Sequence, residues 1–204
     1  MDNPKAKIRC IAFADAKRCI ASGSLCQVAL RVKEVLDADP AAQVLVFDEA
    51  AGRVINLDLR GSAEDINKRL AHTDDVVPEE AESGEQAPMR GRGRPKLGVV
   101  AREVTLLPRH WEWLNAQPGG ASVALRKLVE DARRGNAGKD GIRQSQEASY
   151  RFMSAIAGDQ PNFEEATRAL FAGERERFAQ LIAAWPHDVR DHLDKLADGA
   201  FIRC

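Results

Sequence analysis

The plainest chemistry in this chain lies in Arg90-Gly91-Arg92-Gly93-Arg94-Pro95-Lys96. Four cations alternate there with residues that either lack a side chain or hold φ fixed. A narrow A·T-rich minor groove concentrates negative potential and draws in arginine. Glycine lets the backbone lie deep in such a groove, where a Cβ would clash, and proline keeps the chain extended so that successive arginines point along it. The chemistry implied is electrostatic recognition of a polyanion, without bond-making. The charge distribution agrees with this. Residues 89–135 carry 10 basic and 4 acidic side chains, whereas residues 74–88 carry 6 acidic and none basic. The net charge of −1 over 204 residues conceals this basic block and the acidic stretch before it.

Arg92-Gly93-Arg94-Pro95-Lys96 resembles the core of an AT-hook, and Arg90 extends its basic run. A second pattern follows directly. Val99 to Leu107 is a β-rich run ending at Pro108, which suits the first turn of a helix. Leu107, Trp111 and Leu114 share one helical face, and Gln117-Pro118-Gly119-Gly120 breaks that helix. Ser122 is expected to cap a second helix with Leu125, Leu128, Val129 and Ala132 as its buried stripe, ending at Arg133-Arg134-Gly135. The order strand, helix, Gly turn, helix from Val99 to Arg134 resembles the ribbon-helix-helix family of DNA-binding proteins. The residues that carry the resemblance are Arg102-Glu103-Val104-Thr105-Leu106-Leu107-Pro108 and Gly120-Ala121-Ser122-Val123-Ala124-Leu125-Arg126-Lys127-Leu128-Val129.

The resemblance implies that two chains pair their strands into a ribbon that enters the major groove. It also implies that Gly120, Ala121 and Ser122 clamp a phosphate at a helix N-terminus, and that Arg102 and Thr105 read bases. The adjacent Leu106 and Leu107 depart from the family's alternation. Arg102, Val104 and Leu106 fall on one strand face and Glu103, Thr105 and Leu107 on the other, which leaves the outward face open. Size points to a homodimer independently. A unit of this length falls below the roughly 40 residues at which domains fold alone, and its strand has no partner in its own segment.

Over its full length the chain also resembles an uncharacterised bacterial family of unknown function. Arg92-Gly93-Arg94-Pro95-Lys96 and the run from Arg102 to Leu114 recur there as signatures. That resemblance implies no activity.

Nothing in the chain reads as a catalytic set, and no cofactor or metal is expected. Cys10, Cys19, Cys26 and Cys204 include no Cys-x-x-Cys pair and read as three small core residues and one chain-end thiol. His72, His110, His187 and His192 are scattered. The last two are five apart, not at the i, i+4 spacing of a helical metal site, so surface or capping roles are expected for all four. No stretch approaches the roughly 18 apolar residues of a membrane span. The first residues, with Lys7, Arg9 and Asp15 interrupting the apolar run, do not read as a leader. The expected location is cytoplasmic, and nucleoid-associated if the chain binds DNA.

The flanking sequence must position these residues. Four regions are expected within an α+β fold: 1–71, 72–98, 99–135 and 141–204. The first reads as a β-grasp-like ββαββα unit. Its strands lie near Ile8–Ala14, Lys17–Ser22, Gln43–Asp48 and Arg53–Leu59. Ser24 caps the first helix, and Ser62 with Asp65 opens the second. Residues 72–98 form a linker, acidic then basic, whose acidic part suits a fold-back onto the hook. Residues 141–204 form a helical bundle. Ser145 is expected as an N-cap, and apolar faces run through Phe152, Leu170, Phe178 and Leu193. Two readings remain open. One is a DNA-binding transcriptional regulator. The other is an antitoxin-like adaptor in which the central module only dimerises and the sheet or the C-terminal helices hold a protein partner.

Overall fold

The computed structural model describes residues 8–73 and 102–201. The hook residues Arg90, Arg92, Gly93, Arg94, Pro95 and Lys96, with the rest of the expected linker, lie outside the described residues. The chain divides into two units, one of residues 1–77 with 138–204 and one of residues 78–137. The class is mixed α+β and mostly helical: among the described residues there are one three-stranded antiparallel sheet and seven α-helices.

In the first unit β1 (Arg9–Ala14) is the middle strand, flanked by β2 (Arg18–Ser24) and β3 (Val44–Asp48). The sequence Cys10-Ile11-Ala12-Phe13-Ala14 is apolar at every position because both of its faces are buried. Cys10 and Ala12 join Val46 against Leu25, Val28 and Val32 of helix α1 (Leu25–Ala38). Ile11 and Phe13 join Phe47 on the other face. Register keeps the two sets apart, since Ile11 pairs with Phe47 and Ala12 with Val46. The β1–β2 turn places Asp15 and Ala16 at φ 52° and 54°, the double positive-φ geometry that matches strand twist. Ser24 and Gln27 cap α1 reciprocally, as expected from sequence.

The fourth strand expected over 53–59 is a single bridge, Phe47 to Val54. The Ile55 N–H still donates to the Val46 carbonyl at 2.8 Å. Beyond it the ladder stops, although Ile55, Leu57 and Leu59 do pack inward on the α1 side. The Arg69 guanidinium takes over the carbonyls there, donating to Asp58 at 2.9 Å and also to Arg60. Helix α2 (Ala63–Thr73) opens with the expected Ser62–Asp65 box, Asp65 N–H lying 3.2 Å from Ser62 Oγ. The Cys26 thiol donates to Asn67 Oδ1 and ties α2 to α1. Cys10 is buried and Cys26 and Cys19 are half-buried, and none of the three is in a disulfide. Cys204 lies outside the described residues.

The open face of the sheet is covered by residues more than 100 positions away. Helix α3 (Pro108–Asn115) belongs to the second unit and is described below. Helix α4 runs unbroken from Gly120 to Ile156, so neither the stop expected at Gly135 nor the cap expected at Ser145 exists. Each interior glycine costs about 1 kcal/mol. Arg133, Arg134 and Arg143 meanwhile reach acidic partners three or four residues away along the helix, at 3.1–4.0 Å. The boundary between the units falls within this helix.

Phe152 at its C-terminal end meets Phe47 edge-on at 4.9 Å and Phe13 at 5.5 Å. Helices α5 (Phe163–Ala172), α6 (Arg175–Leu181) and α7 (His187–Ala197) add Leu170, Phe178 and Leu193 to the same core. Polar ties accompany this packing. The Cys19 N–H donates to Asp188 Oδ2 at 2.8 Å, and Trp185 Nε1 donates to the Pro161 carbonyl at 2.8 Å. Stretches 1–71 and 141–204, expected as separate domains, therefore share one core.

Gly52 marks the tightest approach. Its φ is +62°, and a Cβ there would sit 2.1 Å from the Ala148 carbonyl oxygen of α4. Backbone meets backbone, so no side chain can yield. Gly52→Ala is expected to cost about 3 kcal/mol or more, read as a lowered urea midpoint. An unchanged midpoint would refute the approach of this turn to α4.

Candidate functional site

The second unit contains the segment with the ribbon-helix-helix pattern. Residues 102–107 form no sheet, and Arg102, Val104, Thr105 and Leu107 are exposed. Leu107 then caps α3 with Pro108 in its first turn, as the sequence requires. Gln117 Nε2 closes the helix by donating to the Trp113 carbonyl at 3.1 Å. Gly119 and Gly120 follow at φ +88° and +74°, the left-handed region that glycine tolerates, and α4 begins at Gly120. Helix-turn-helix order is thus present at the expected positions, but Ser122 is the third residue of its helix and not the cap.

The three expected phosphate-clamp residues lie together in that first turn, where helical geometry leaves N–H groups without intrahelical acceptors. Gly120 N–H is already used, donating to the Gln117 carbonyl at 2.9 Å. The Ser122 hydroxyl accepts from Arg126 Nη2 at 3.0 Å, and Arg126 Nε donates to the Ser122 carbonyl at 3.2 Å. Arg126 therefore stands over the turn that holds Gly120, Ala121 and Ser122. Sequence reasoning passed over it, although its i, i+4 spacing from Ser122 was visible.

The apolar residues of this unit are largely uncovered. Leu114 and Ala124 are buried. Val129 is 64% exposed, Val104 57%, Trp113 53%, Leu107 49% and Leu128 46%. Of the stripe Leu125, Leu128, Val129 and Ala132 expected to be buried, Leu125 is half-buried and the other three are exposed in the single chain. A shallow groove of about 200 Å³ runs between Trp113, Pro118, Ala124 and Leu128.

The first unit holds a second feature that sequence reasoning missed. His192 was expected on the surface or at a cap, yet it is only 2% exposed. Its ring lies edge-on to Phe152 at 4.7 Å and 6.0 Å from Phe13. Val189, His192, Leu193 and Leu196 stand at i, i+3, i+4 and i+7, so the helical period already placed it on the core face. Neither ring nitrogen has a hydrogen-bond partner among the described residues. The ring lines a recess of about 330 Å³ together with Glu49, Gln144, Ser145 and Lys195. His187, by contrast, is exposed, with Nδ1 3.1 Å from Asp191, and His110 is exposed. Among the described residues no three His, Cys, Asp or Glu side chains are placed to hold a metal ion. No helix among them is long and apolar enough to cross a membrane.

The fold is an α+β protein with a two-faced sheet and a separate helix-turn-helix segment. Over residues 9–197 the chain matches, and belongs to, the family described as uncharacterized protein conserved in bacteria (DUF2239). No curated protein and no solved structure matches it.

Burial drives the His192 imidazole from its ordinary 6.5 down to about 4; Glu49, after β3, opposes the shift and Lys195, on α7, adds to it. A depressed histidine binds its proton more weakly folded than unfolded. Its contribution to stability is therefore complete above pH 6.5 and is lost as pH falls through 4. The loss is on the order of 3 kcal/mol. Urea melts at intervals across this window should show the decline, and His192→Phe should flatten it. A wild-type profile as flat as the variant's would contradict the burial of a neutral ring.

Proposed function

We propose that this chain is a DNA-binding protein, a transcriptional regulator that dimerises through residues 99–135 in the manner of the ribbon-helix-helix family. In this reading the residue 102–107 segments of two copies pair as a ribbon in the major groove. Arg102 and Thr105 lie on it, and Ala121, Ser122 and Gly120 of each copy approach a phosphate. Arg90, Arg92, Gly93, Arg94, Pro95 and Lys96 enter an adjacent A·T-rich minor groove. The first unit is a β-grasp-like variant whose fourth strand is reduced to one bridge.

The observation that carries the proposal is the exposure of large apolar side chains throughout the second unit. Val104, Leu107, Trp113, Leu128 and Val129 lie within 26 residues, all close to half exposed or more. Burying apolar area contributes roughly 25 cal/mol per Å², and a second copy would offer the same apolar side chains in return. The surrounding basic block then supplies a polyanion-binding surface on that dimer.

Leu128 and Val129 are exposed in one chain, so Leu128→Asp with Val129→Asp should leave a monomer's fold intact while abolishing a dimer. Sedimentation should show the wild type at twice the mass of the double variant. Equal masses would remove the dimer from the proposal.

DNA binding is read by fluorescence anisotropy on A·T-rich and G·C-rich duplexes across a salt series. For about six phosphate contacts, the slope of log K against log salt should be about −5. Arg92→Ala with Arg94→Ala should lose the A·T preference and retain part of the affinity. A flat salt response, or equal binding to the two duplexes by the wild type, overturns the DNA reading. A dimer that survives that outcome favours the adaptor reading.

A further inference from the structure

Helix α4 is packed towards its two ends and bare between them. Ala124 is buried in the second unit and Ala148 in the first, and no residue from 125 to 147 is buried. From 131 to 139 every residue is exposed. Helices in proteins owe most of their stability to a packed apolar face, and this stretch has none. Side-chain ion pairs do not replace it. Glu130 and Asp131 reach Arg133 and Arg134 at 3.1–3.7 Å, and Asp140 and Glu147 reach Arg143 at 3.1 and 4.0 Å. Among the described residues no ion pair joins the first group to the second across 135–139. The same stretch carries Gly135, Gly138 and Gly141, and a Cβ at each would meet nothing within 4 Å. No close approach within the chain therefore requires glycine there. Each glycine lowers the helix population about fivefold relative to alanine, and the three together lower it about 100-fold.

We propose that α4 opens reversibly at residues 135–141, and that this segment is a hinge that uncouples the second unit from the first. The division of the chain into its two units falls inside it, between 137 and 138. Side-chain ties from α4 to the rest of the first unit begin beyond it. The Ser145 hydroxyl donates to the Leu196 carbonyl, and Gln146 Nε2 donates to the Leu170 carbonyl at 3.1 Å. Opening the segment uncovers no core residue and breaks only backbone bonds within the helix, the condition under which local opening needs little free energy. A few residues at an element boundary then absorb the change in backbone angles. The hinge acts whether or not the second unit binds DNA.

The test uses the full chain and reads amide hydrogen exchange residue by residue. Amides of 135–141 should exchange at least about 100-fold faster than those of 148–156 on the same helix. Gly135→Ala with Gly138→Ala and Gly141→Ala, which introduces no clash, should slow exchange over 135–141 by about 100-fold. Equal protection of the two stretches in the wild type overturns the hinge, and so does a triple variant that exchanges as fast as the wild type. Gly138→Pro supplies a second readout. Melting of the first unit is followed through the Trp185 indole resonance, and its Tm should stay within about 2 °C of the wild type. A proline whose effect ran along one rigid helix into the core would lower that Tm by roughly 10 °C, and such a fall overturns the proposal.

Discussion

The structure of the first unit depends on β1 being buried on both faces. An antiparallel strand with one wet face alternates polar and apolar residues; Cys10 to Ala14 does not. Once Ile11, Phe13 and Phe47 point away from α1, the sheet requires a second cover, and among the described residues 8–71 no other helix packs on that face. Phe152 supplies it, meeting both Phe13 and Phe47. The approach of Gly52 to Ala148 and the bond from Arg151 Nη1 to the Ala51 carbonyl at 2.7 Å follow from the same closure. In sequence, the second unit therefore interrupts the two stretches that build one core. Much of this unit's packing is long-range in sequence, which predicts slower folding than that of a local helical bundle.

This constraint explains what was legible in the sequence. Local signals were read correctly: the Ser24 and Ser62 caps, the β1–β2 turn, Pro108 at the start of α3, and the Gly119-Gly120 break. Each is decided within a few residues. Two local signals point the wrong way. Gly135 reads as a stop, but the charged residues around it sustain α4. Arg53 to Leu59 alternates as a strand should, yet only Val54 bridges, because alternation reports burial of side chains and not hydrogen bonding of the backbone. The shared core was missed for a different reason. The double-sided burial of β1 was visible as an unbroken apolar run, but the identity of its cover was not, since nothing local joins residue 13 to residue 152.

His192 shows the same limit on the side of function. Its position on the apolar face of α7 could be read from period alone. Its lack of partners could not, because that depends on Phe13 and Phe152 occupying the space around it and on Glu49 arriving from a distant turn. A polar residue on a core face becomes informative only when the tertiary structure shows whether it is satisfied.

The second unit reverses the balance of the first. There the apolar residues are legible as helical faces, and the fold of one chain does not cover them. A solvated linker accounts for the arginines between 90 and 102 but not for Trp113, Leu128 and Val129 standing in water beside a well-formed helix-turn-helix. An isolated helical hairpin accounts for the turn, yet not for the β-rich run before Pro108, which forms no strand over residues 102–107. In the proposed dimer a second copy would meet both deficits with one interface, and it would double the basic block on the same particle. Charge then becomes informative together with symmetry, since two equivalent basic surfaces held at a fixed separation can engage a repeating polyanion that a single flexible segment would meet only weakly.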